Sequence, residues 1–364
     1  MKPYLPEMLP LKSLNWVEFI HLIGEANREL ARYEGILKGI VNPAVFLSPL
    51  TMQEAVLSSR IEGTQATLEE VLEYQALPKK EAAKEQDILE IINYRDALDY
   101  AVAYLQKKPI GLNLIKEIHS RLLNSVRGRN KARGHFRTTQ NYIGRPGTPI
   151  EQASYVPPAP DRLMELLSNF EKYIHYEEKD PLVQMAIVHA QFECIHPFLD
   201  GNGRVGRILL PLFLMEKKLL DSPVFYISAY LETHRDTYYE NLNALSKKRK
   251  WEDWIIFFLG AVIEQARSNS GKASQILRLY NDMKERVPDI THSQYAIRVI
   301  DLLFGKPLFN SQEFTKELHI PKTSAVRILN QLETTNIISV IHEGKGTRPA
   351  LLRFNKLAEI VEQT

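Results

Sequence analysis

One segment restricts the fold of this chain more than any other, because it predicts a helix with no polar face to expose to water. Residues 181–195 read PLVQMAIVHAQFECI, and apolar positions lie on nearly all sides of the helix that their spacing predicts. Asp180, with Pro181 at the first helical position, is typical of a helix start. A helix that is apolar all round has to be enclosed by other elements. We therefore expect residues 181–195 to form the central helix of a domain.

Helical periodicity also dominates most of the chain before this segment. Apolar residues recur at three- and four-residue spacing, and further helices are expected at 16–39, 51–75, 88–105 and 112–123. Thr51 and Glu54 match a capping box, which places a helix start at Thr51. The expected fold class is therefore mainly α.

Residues 127–160 break the helical pattern. The stretch is rich in Gly, Pro, Thr and Gln, with short extended pieces at Asn141–Ile143 and Ala153–Val156 on either side of a Gly/Pro turn. Such a composition favours turns and strands over helix. We expect a β-hairpin flap without helix.

Charge and hydropathy argue against membrane and nucleic-acid functions for the chain as a whole. Its 364 residues carry 46 Lys and Arg against 44 Asp and Glu, so no overall field demands an anionic partner. The longest apolar runs, 208–215 and 254–262, are too short to span a bilayer. The first residues, MKPYLPEMLPLKSLNW, lack the apolar core of a signal peptide. We expect a cytoplasmic protein with no membrane partner.

Cys194 is the single cysteine of the chain, which fits a reducing compartment because it cannot form an internal disulfide. It lies two residues before His196, so a nucleophilic Cys–His pair is one interpretation. The alternative is a small apolar filler in a buried helix, beside Phe192 and Ile195. We favour the filler.

Residues 196–207 read HPFLDGNGRVGR and form the most informative motif of the chain. A loop containing Gly201 and Gly203 opens onto a helix, whose unpaired N–H groups and dipole attract anions. Glycines let such N–H groups close on an anion. Arg204 and Arg207 lie three residues apart in the first helical turn, so both can face one pocket and bind phosphate oxygens.

Two further residues of the motif carry chemistry. Asp200 offers carboxylate oxygens to Mg²⁺, and His196, with an ordinary pKa of about 6.5, suits a general base. Phe198 is expected to anchor the loop in the core. The alternative is a glycine-rich turn with solvated arginines, but arginines near a positive helix end are unfavourable without an anion. The motif therefore predicts a phosphate-handling loop.

The run resembles the signature of the Fic family, HPFx[DE]GN[GK]RxxR, at every fixed position, and the likeness extends over roughly residues 15–265. The resemblance implies a Fic-type helical core and a protein adenylyltransferase that transfers AMP from ATP to a Ser, Thr or Tyr hydroxyl of a target protein, itself included, and releases pyrophosphate. It implies that His196 deprotonates the hydroxyl and that Asp200 coordinates Mg²⁺. The implied ATP-binding residues of the motif are His196, Gly201, Asn202, Gly203, Arg204, Val205, Gly206 and Arg207.

Within that set the resemblance implies distinct roles. Asn202 and the two glycines of the loop would cradle the α- and β-phosphates. Arg204 would neutralise the leaving pyrophosphate, and Arg207 would hold the γ-phosphate. Removal of AMP and other phosphoryl or nucleotidyl transfers by the same site remain alternative reactions.

Two other segments extend the resemblance. ETHRDTYYENL (232–242) resembles the adenine-side segment of the family, which makes Tyr239 the first candidate for a nucleotide contact, followed by Tyr238 and Asn241. The alternative is a tyrosine pair in the core. GHFRTTQNYIG (134–144) resembles the target-positioning flap, whose exposed strand edge aligns a target by main-chain pairing.

Residues 58–63, SSRIEG, match the inhibitory pattern of the family, [ST]xxxE[GN], through Ser58, Glu62 and Gly63. The resemblance implies an inhibitory helix within about 51–75, on which Glu62, itself at the edge of the ATP site, forms a bidentate pair with Arg207 and competes with the γ-phosphate. The alternatives are an ordinary solvated glutamate, or a glutamate that orients water to remove AMP.

The C-terminal part fits helix, helix, helix and a two-stranded wing, with strands at Ile337–Ile341 and Ala350–Phe354. This pattern resembles a winged helix-turn-helix, which would place one helix in the major groove of DNA. Its excess of basic over acidic residues is small, so protein docking or a homodimer is favoured over a nucleotide-sensing, DNA-binding regulator. The expected divisions are an N-terminal helical region (1–85), a catalytic core (86–270, with the Fido domain at about 110–262) and a winged-helix domain (271–364).

Overall fold

The structure is a computed structural model that describes residues 2–40, 42–78, 84–124, 131–144, 147, 149–346 and 348–362. Parts of the predicted flap, residues 127–130, 145, 146 and 148, lie outside the described residues. The first twelve helices are α1 (Ile20–Lys38), α2 (Pro43–Phe46), α3 (Ser48–Ile61), α4 (Leu68–Ala76), α5 (Glu85–Leu105), α6 (Leu112–Leu122), α7 (Leu163–Ile174), α8 (Pro181–Ile195), α9 (Asn202–Glu216), α10 (Ser228–Thr233), α11 (Arg235–Lys248) and α12 (Trp251–Thr291).

The remaining elements form a smaller group at the end of the chain. They are α13 (Ala296–Gly305), β1 (Leu308–Asn310), α14 (Ser311–Glu317), α15 (Lys322–Thr334), β2 (Ile338–His342), β3 (Leu351–Phe354) and α16 (Asn355–Glu362). The mainly α fold class is confirmed. None of the helices in the described part of the chain is long and apolar enough to cross a membrane.

Helix α8 is central, as its apolar sequence predicts. It contacts α1, α7, α9, α11 and α12, and nearly all of its side chains are buried. Its first turn is capped by Asp180, whose Oδ1 accepts hydrogen bonds from the backbone N–H groups of Leu182 (2.9 Å) and Val183 (3.0 Å). The indole Nε1 of Trp254 on α12 donates to the Ala186 carbonyl at 2.8 Å. The enclosed helix thus provides the rigid base for the residues that follow it.

The expectation of one helix over residues 51–75 is wrong. Helix α3 starts at Ser48 and ends at Ile61, and α4 starts at Leu68. Gly63, with φ +101°, ends the first helix, because this left-handed conformation is open chiefly to glycine. A capping box forms instead between Thr67 and Glu70. Glu62 therefore lies at the C-cap of α3 rather than inside a helix.

Thr51 and Glu54, which matched a capping box in the sequence, have other partners. Thr51 Oγ1 is bonded to the Leu47 carbonyl one turn earlier, at 3.3 Å. The Glu54 carboxylate is buried and accepts hydrogen bonds from the backbone N and the Oγ of Ser228 on α10. Thr51 and Glu54 therefore do not cap a helix start, although the local sequence matches that pattern.

The expected β-hairpin reduces to one antiparallel bridge among the described residues of the flap. Ile143 and Tyr155 form that bridge, with Ile143 N donating to the Tyr155 carbonyl at 2.9 Å. Pro157 and Pro158 lack N–H groups, so the pairing cannot extend in their direction. The expectation of no helix is also wrong, because short 3-10 helices lie at Ile150–Gln152 and Pro160–Arg162.

The expected boundary at residue 270 falls inside a helix. Helix α12 runs without interruption from Trp251 to Thr291, so the C-terminal group of elements begins after it. That group contains a three-stranded antiparallel sheet in the order β1-β3-β2, in which Leu352 pairs with both Phe309 and Val340. The sequence predicted two of these strands and missed β1, which has three residues.

The C-terminal group packs against the N-terminal region. The Asn310 side-chain amide donates to the Ala76 carbonyl at the end of α4, at 2.8 Å. Ala76 also packs with Leu308 and Leu351 in a small apolar cluster. On the other side, the ring of Phe46 lies 5.7 Å from that of Phe304 on α13. The two ends of the chain are thus in direct contact through α4 and α2.

The cap of α8 gives a test of the fold. Replacing Asp180 by Ala removes the acceptor for two N–H groups, and we expect the free energy of unfolding to fall by about 1–2 kcal/mol. Urea unfolding followed by circular dichroism measures this loss. Asp180→Asn keeps an acceptor at the same position and should lose less than half as much. Equal losses in the two variants would contradict the capping role.

Candidate active site

The loop between α8 and α9 turns sharply through two left-handed residues. His196 has φ +48° and ψ +61°, and Gly201 has φ +78°. The conformation costs glycine little, but it costs a residue with a Cβ roughly 1–3 kcal/mol. His196 therefore stays in this conformation because contacts from the surroundings hold it there. Such strain at one residue of a cavity is a feature of functional sites.

Asn202 holds the loop together from within. Its Oδ1 accepts from Phe198 N at 2.8 Å, and its Nδ2 donates to the Phe198 carbonyl at 2.9 Å. The same Nδ2 lies 3.2 Å from His196 Nδ1. The side chain is buried, so its polar groups are engaged in the loop itself. In this structure Asn202 is a staple for the loop, and its expected part in cradling the phosphates stays a prediction.

His119 on α6 supports the loop from outside and was not found in the sequence. Gly134 N donates to its Nδ1 at 2.9 Å, so the ring carries its proton on Nε2, which lies 3.1 Å from the Asp200 carbonyl. The ring also stacks on Phe198 with centroids 3.8 Å apart. Burial lowers the pKa of His119 to about 4, so the neutral ring bridges the two segments. Phe198 is fully buried, as expected of a core anchor.

A cavity of about 450 Å³ opens beside this loop. Its lining combines the motif, the end of α3, one face of α11 and the flap bridge: Glu62, Ile143, Ser154, Tyr155, Glu193, Cys194, His196, Gly203, Arg207, Arg235, Tyr238, Tyr239, Leu242 and Asn243. Part of the residues expected at the nucleotide therefore share one space with Ile143 of the segment expected to position the target.

Arg207 is only 1% exposed and is held by the segment matching the inhibitory pattern. Its NH2 atom lies 2.6 Å from Glu62 Oε1 and 2.8 Å from the Ser58 carbonyl, and its Nε donates to Ser58 Oγ at 2.8 Å. The expected bidentate pair is thus wrong in detail, because Ser58 takes the Nε position. Burial works to raise the pKa of Glu62, but the charge of Arg207 brings it below its usual value.

Arg204 and Arg207 do not face one pocket. The side chain of Arg204 is also buried, but its NH1 lies 3.2 Å from Glu90 Oε2 on α5, and it is not among the residues that line the cavity. Its NH2 is 3.9 Å from Asp200 Oδ1. Each buried guanidinium has thus found its own carboxylate, which satisfies the requirement that a buried charge be paired.

His196 is neutral in this site. Burial and, after it, the positive charge of Arg137 lower its pKa to about 4, against the opposing charges of Glu62 and Asp200. Nδ1 lies 3.2 Å from the amide nitrogens of both Asn141 and Asn202. Nε2 makes no hydrogen bond to the described residues. Because both amide nitrogens are donors, Nδ1 accepts in this arrangement and the neutral ring carries its hydrogen on Nε2. A neutral imidazole that lines the cavity is suited to proton transfer once the hydrogen has moved to Nδ1.

The residues expected on the adenine side of the site lie along one face of α11, and the sequence predicted only some of them. Tyr239 is 37% exposed and lines the cavity. Tyr238 is buried, and its hydroxyl lies 2.9 Å from His189 Nε2. The hydroxyl is therefore bonded within the core, as the alternative of a core tyrosine pair predicts. Asn241 donates to the Thr237 carbonyl and is not part of the lining. Leu242 and Asn243 do line the cavity. They lie three and four residues after Tyr239, so helical spacing alone could have predicted them.

The glycines of the motif leave room for neighbouring side chains and for close packing of helices, as well as for a ligand to approach the backbone. A Cβ at Gly203 would meet Glu62 and lie 2.9 Å from Arg207 NH1, so this glycine leaves room for their pair. A Cβ at Gly206 would meet the Glu193 carboxylate and lie 3.3 Å from Phe192, so Gly206 permits close contact of α9 with α8. Val205 is buried in the core. Gly206 and Val205 do not line the cavity, and their assignment to the ATP site stays a prediction.

Burial disfavours charge on the two residues of α8 that lie next to the loop. Burial raises the pKa of the Cys194 thiol to about 12, so the thiolate that a nucleophile needs is not available. Burial also raises the pKa of Glu193 to about 8. The interpretation of Cys194 as a filler is therefore favoured by its surroundings, although it does touch the cavity.

Asp200 is the candidate for metal binding. Its side chain is 46% exposed, and Oδ1 accepts from Gly201 N at 2.7 Å, while Oδ2 makes no hydrogen bond to the described residues. Within the described part of the chain, no group of three or more His, Cys, Asp or Glu side chains is arranged to hold a metal ion. A single carboxylate fits Mg²⁺, which is commonly held by one or two carboxylates together with substrate phosphates.

Comparisons with known proteins agree with this geometry. The family profile described as "Fic/DOC family N-terminal" matches residues 20–103, and the profile "Fic/DOC family" matches residues 109–214. Together they cover more than half of the chain. The chain belongs to the Fic/DOC family. Solved structures show the fold of this Fic protein: a Fic family protein from Desulfovibrio desulfuricans G20 covers 97% of it, with a TM-score of 0.62 and 19% identity over 99% of that chain.

Other relatives cover less of the Fic protein. Fic-1 (aa134 - 508) from C. elegans covers 71% of it and is itself covered to 73%, with a TM-score of 0.54 and 20% identity. "Protein adenylyltransferase Fic" of Drosophila grimshawi is 35% identical over 162 residues, 43% of this chain and 31% of that protein. The protein of the same name from Culex quinquefasciatus is 33% identical over 163 residues, 43% of this chain and 29% of that protein. The match spans about a third of the length of these curated relatives.

The staple role of Asn202 can be tested without an activity. Asn202→Ala leaves the buried Phe198 N–H without an acceptor, and we expect the free energy of unfolding to fall by about 1–3 kcal/mol. Urea unfolding measures the loss, and amide exchange at Phe198 should become faster. Asn241→Ala removes only a bond within an exposed helical turn and should change stability by less than about 0.5 kcal/mol. Similar losses in both variants would argue against the staple.

Proposed function

We propose that this Fic protein is a protein adenylyltransferase, which transfers AMP from ATP to a Ser, Thr or Tyr hydroxyl of a target protein and releases pyrophosphate. The observation that carries the proposal is that a neutral His196, Gly203 and the buried Arg207 meet in one cavity of nucleotide size. The printed name of the curated relatives, protein adenylyltransferase, supports the same reaction.

In this proposal His196 removes the proton of the target hydroxyl. Nε2, which faces the cavity, accepts that proton, so the neutral ring has to carry its hydrogen on Nδ1 beforehand. Asn141 can provide for this, because its Oδ1 is buried without a hydrogen-bond partner. A rotation of the Asn141 amide would turn that oxygen toward Nδ1–H. The hydroxyl oxygen then attacks the α-phosphorus, and the bond to the pyrophosphate oxygen breaks.

The phosphates are bound by the N-terminal end of α9. Its unpaired N–H groups and positive dipole end favour anions, and Gly201 and Gly203 give the backbone room to approach them. Arg207 would pair with the γ-phosphate in place of Glu62, and Arg204 would turn from Glu90 toward the leaving pyrophosphate. Tyr239, at the open side of the cavity, is placed for a base to stack on its ring.

Mg²⁺ would be held by Asp200 and the phosphate oxygens. When bound, the ion neutralises the charge that develops on the leaving pyrophosphate. The hydrogen bond from Gly201 N fixes the carboxylate of Asp200 at the entry to α9, where the phosphates are expected. The chain thus supplies one negative ligand and a rigid position for it.

The same proposal includes a brake. Glu62 and Ser58 occupy the guanidinium of Arg207, with Gly63 ending the helix directly behind them. A γ-phosphate can use Arg207 only after Glu62 has moved, so ATP phosphates would otherwise be held in a geometry unsuited to in-line attack. Because Glu62 also lines the cavity, its carboxylate is placed to orient a water molecule, which would support removal of AMP as a second reaction.

We further propose that the elements from α13 to α16 are a winged-helix unit for protein docking or a homodimer. Their order, helix, strand, two helices, two strands and a final helix, supports this assignment. DNA binding is less well supported: Arg327 of α15 donates to the Thr291 carbonyl at the end of α12 and to Gln331 on its own helix, so its guanidinium is already engaged within the protein. The catalytic core then ends with α12, at Thr291, and the N-terminal region that carries the brake ends at about residue 85.

The brake predicts a gain of activity. Glu62→Gly should raise AMP incorporation into a target, or into the protein itself, roughly ten-fold or more, because a charge-assisted pair of about 1.5–3 kcal/mol no longer opposes the γ-phosphate. The measurement is incorporation of label from α-³²P-ATP, with mass spectrometry of a lysate to identify the group transferred.

The controls separate the brake from the reaction. Glu343→Gly makes the same change in an exposed turn of the wing and should leave incorporation at the wild-type level. His196→Ala in the Glu62→Gly background should abolish incorporation while ATP binding is largely kept. Incorporation equal in the wild type and Glu62→Gly would rule out the brake, and turnover by the His196 variant would rule out the proposed base.

The metal assignment predicts a changed requirement for Mg²⁺. In the Glu62→Gly background, Asp200→Asn should raise the Mg²⁺ concentration for half-maximal AMP transfer about ten-fold, because an amide is a weaker ligand than a carboxylate. Asn still accepts the hydrogen bond of Gly201 N, so the loop is kept. Asp236→Asn, on the first turn of α11, is the matched control. An unchanged Mg²⁺ dependence would show that Asp200 is not the ligand.

A further inference from the structure

The guanidinium of Arg137 is buried and is bonded to backbone carbonyls instead of an acid. The side chain is 2% exposed. Its Nε donates to the His196 carbonyl at 3.0 Å, its NH1 to that of Thr139 at 3.3 Å, and its NH2 to that of Pro158 at 2.6 Å. None of the carboxylates in the described part of the chain pairs with it. A buried cation without a counter-charge is costly, which suggests a role beyond packing.

The groups that Arg137 touches belong to the turn that carries His196. Its guanidinium reaches the carbonyl of His196 and, at 3.5 Å, that of Ile195. Its own backbone N–H donates to the Pro197 carbonyl at 2.9 Å. Three consecutive residues at the end of α8 are therefore tied to one residue of the flap segment.

The hydrogen bonds from Arg137 stabilise the strained backbone of His196. The left-handed backbone of this residue persists only where its surroundings determine it. The N–H of His196 already closes the last turn of α8 on Phe192. The bonds from Arg137 fix the carbonyl on the other side of the same residue. Together they determine the direction in which the imidazole leaves the backbone.

The charge of Arg137 acts on the same ring. After burial, this charge is the largest influence that lowers the pKa of His196, whereas Glu62 and Asp200 raise it. Besides Glu62, the charged and titratable side chains that line the cavity with His196 are Tyr155, Glu193, Cys194, Arg207, Arg235, Tyr238 and Tyr239. A positive neighbour disfavours the protonated ring, so the base stays neutral at lower pH than the loop alone would allow.

We propose that Arg137 is a positioning residue of the transfer reaction, which holds the backbone of Ile195, His196 and Pro197 so that the imidazole faces the cavity as a neutral base. This inference rests on the function proposed above. Arg137 is not among the residues that line the cavity, so its effect on the reaction has to pass through His196.

Three variants in the Glu62→Gly background separate geometry from charge. Arg137→Met removes both, Arg137→Lys keeps the charge, and Arg133→Met is the control. Arg133 is an exposed arginine of the same segment, bonded to Ser120 and Asn124. The measurements are kcat and KM for ATP across pH, and NMR titration of His196 in the full chain, assigned with His196→Ala.

For Arg137→Met we expect kcat to fall at least ten-fold while KM for ATP changes less than about two-fold. The pKa of His196 should rise from about 4, and the acid limb of kcat should move to higher pH with it, because activity is lost as the base becomes protonated. Arg137→Lys should keep the low pKa and recover part of kcat. Arg133→Met should match the parent.

Two results would overturn the inference: a kcat and a His196 pKa in Arg137→Met equal to those of Arg133→Met, or a His196 pKa in Arg137→Lys that rises as far as in the Met variant. If Arg137→Met does not fold, as judged by circular dichroism, the Lys variant decides alone. If the parent Glu62→Gly transfers no AMP, the proposed function fails, and the NMR titration still tests the effect of Arg137 on His196.

Discussion

The close contact between α8 and α9 is the constraint on which the rest of the site depends. Because Gly206 has no side chain, the backbone of α9 can lie close to Phe192 of α8. The two helices are joined by the loop 196–201, which reverses the chain through two residues with positive φ. Gly201 supplies one of these at little cost, whereas His196 supplies the other under strain. The strained backbone of the proposed base thus lies directly at the turn between two closely packed helices.

The buried charge of Arg207 imposes the second constraint. A guanidinium that is almost fully enclosed needs an anionic partner, and removal of that partner leaves an uncompensated charge that costs several kcal/mol. Glu62 fulfils this need in the structure, and a phosphate would fulfil it equally well. In the proposed brake, inhibition and nucleotide binding are linked by this one requirement, because a γ-phosphate would replace Glu62 as the anion at Arg207.

The sequence predicted those features whose cause is local. The apolar surface of residues 181–195 is sufficient to make α8 central, and Asp180 is sufficient to start it. The motif and the inhibitory pattern brought Arg207 and Glu62 together correctly as a pair. The break between α3 and α4 was missed although Gly63 and the Thr67 capping box mark it in the sequence, because apolar periodicity continues across the break.

The features that were missed depend on residues that are distant in sequence. Arg204 pairs with Glu90, which comes 114 residues earlier, and no spacing rule connects the two. Arg137 and His119 hold the active loop through carbonyl groups, which leave no trace in the side-chain pattern. Their identification needs the tertiary structure, because any residue type offers a carbonyl.

The backbone around Glu62 is fixed more firmly than its side chain. Thr64 Oγ1 donates to Glu90 Oε2 at 3.3 Å, the same oxygen that Arg204 contacts. Gln65 N donates to Asp87 at 2.7 Å. The segment that follows Glu62 is thus anchored to α5, and α4 beyond it is held by the C-terminal group of elements. In the proposed brake, Arg207 would therefore be released by rotation of the Glu62 side chain, which is 32% exposed, and not by a shift of the helix.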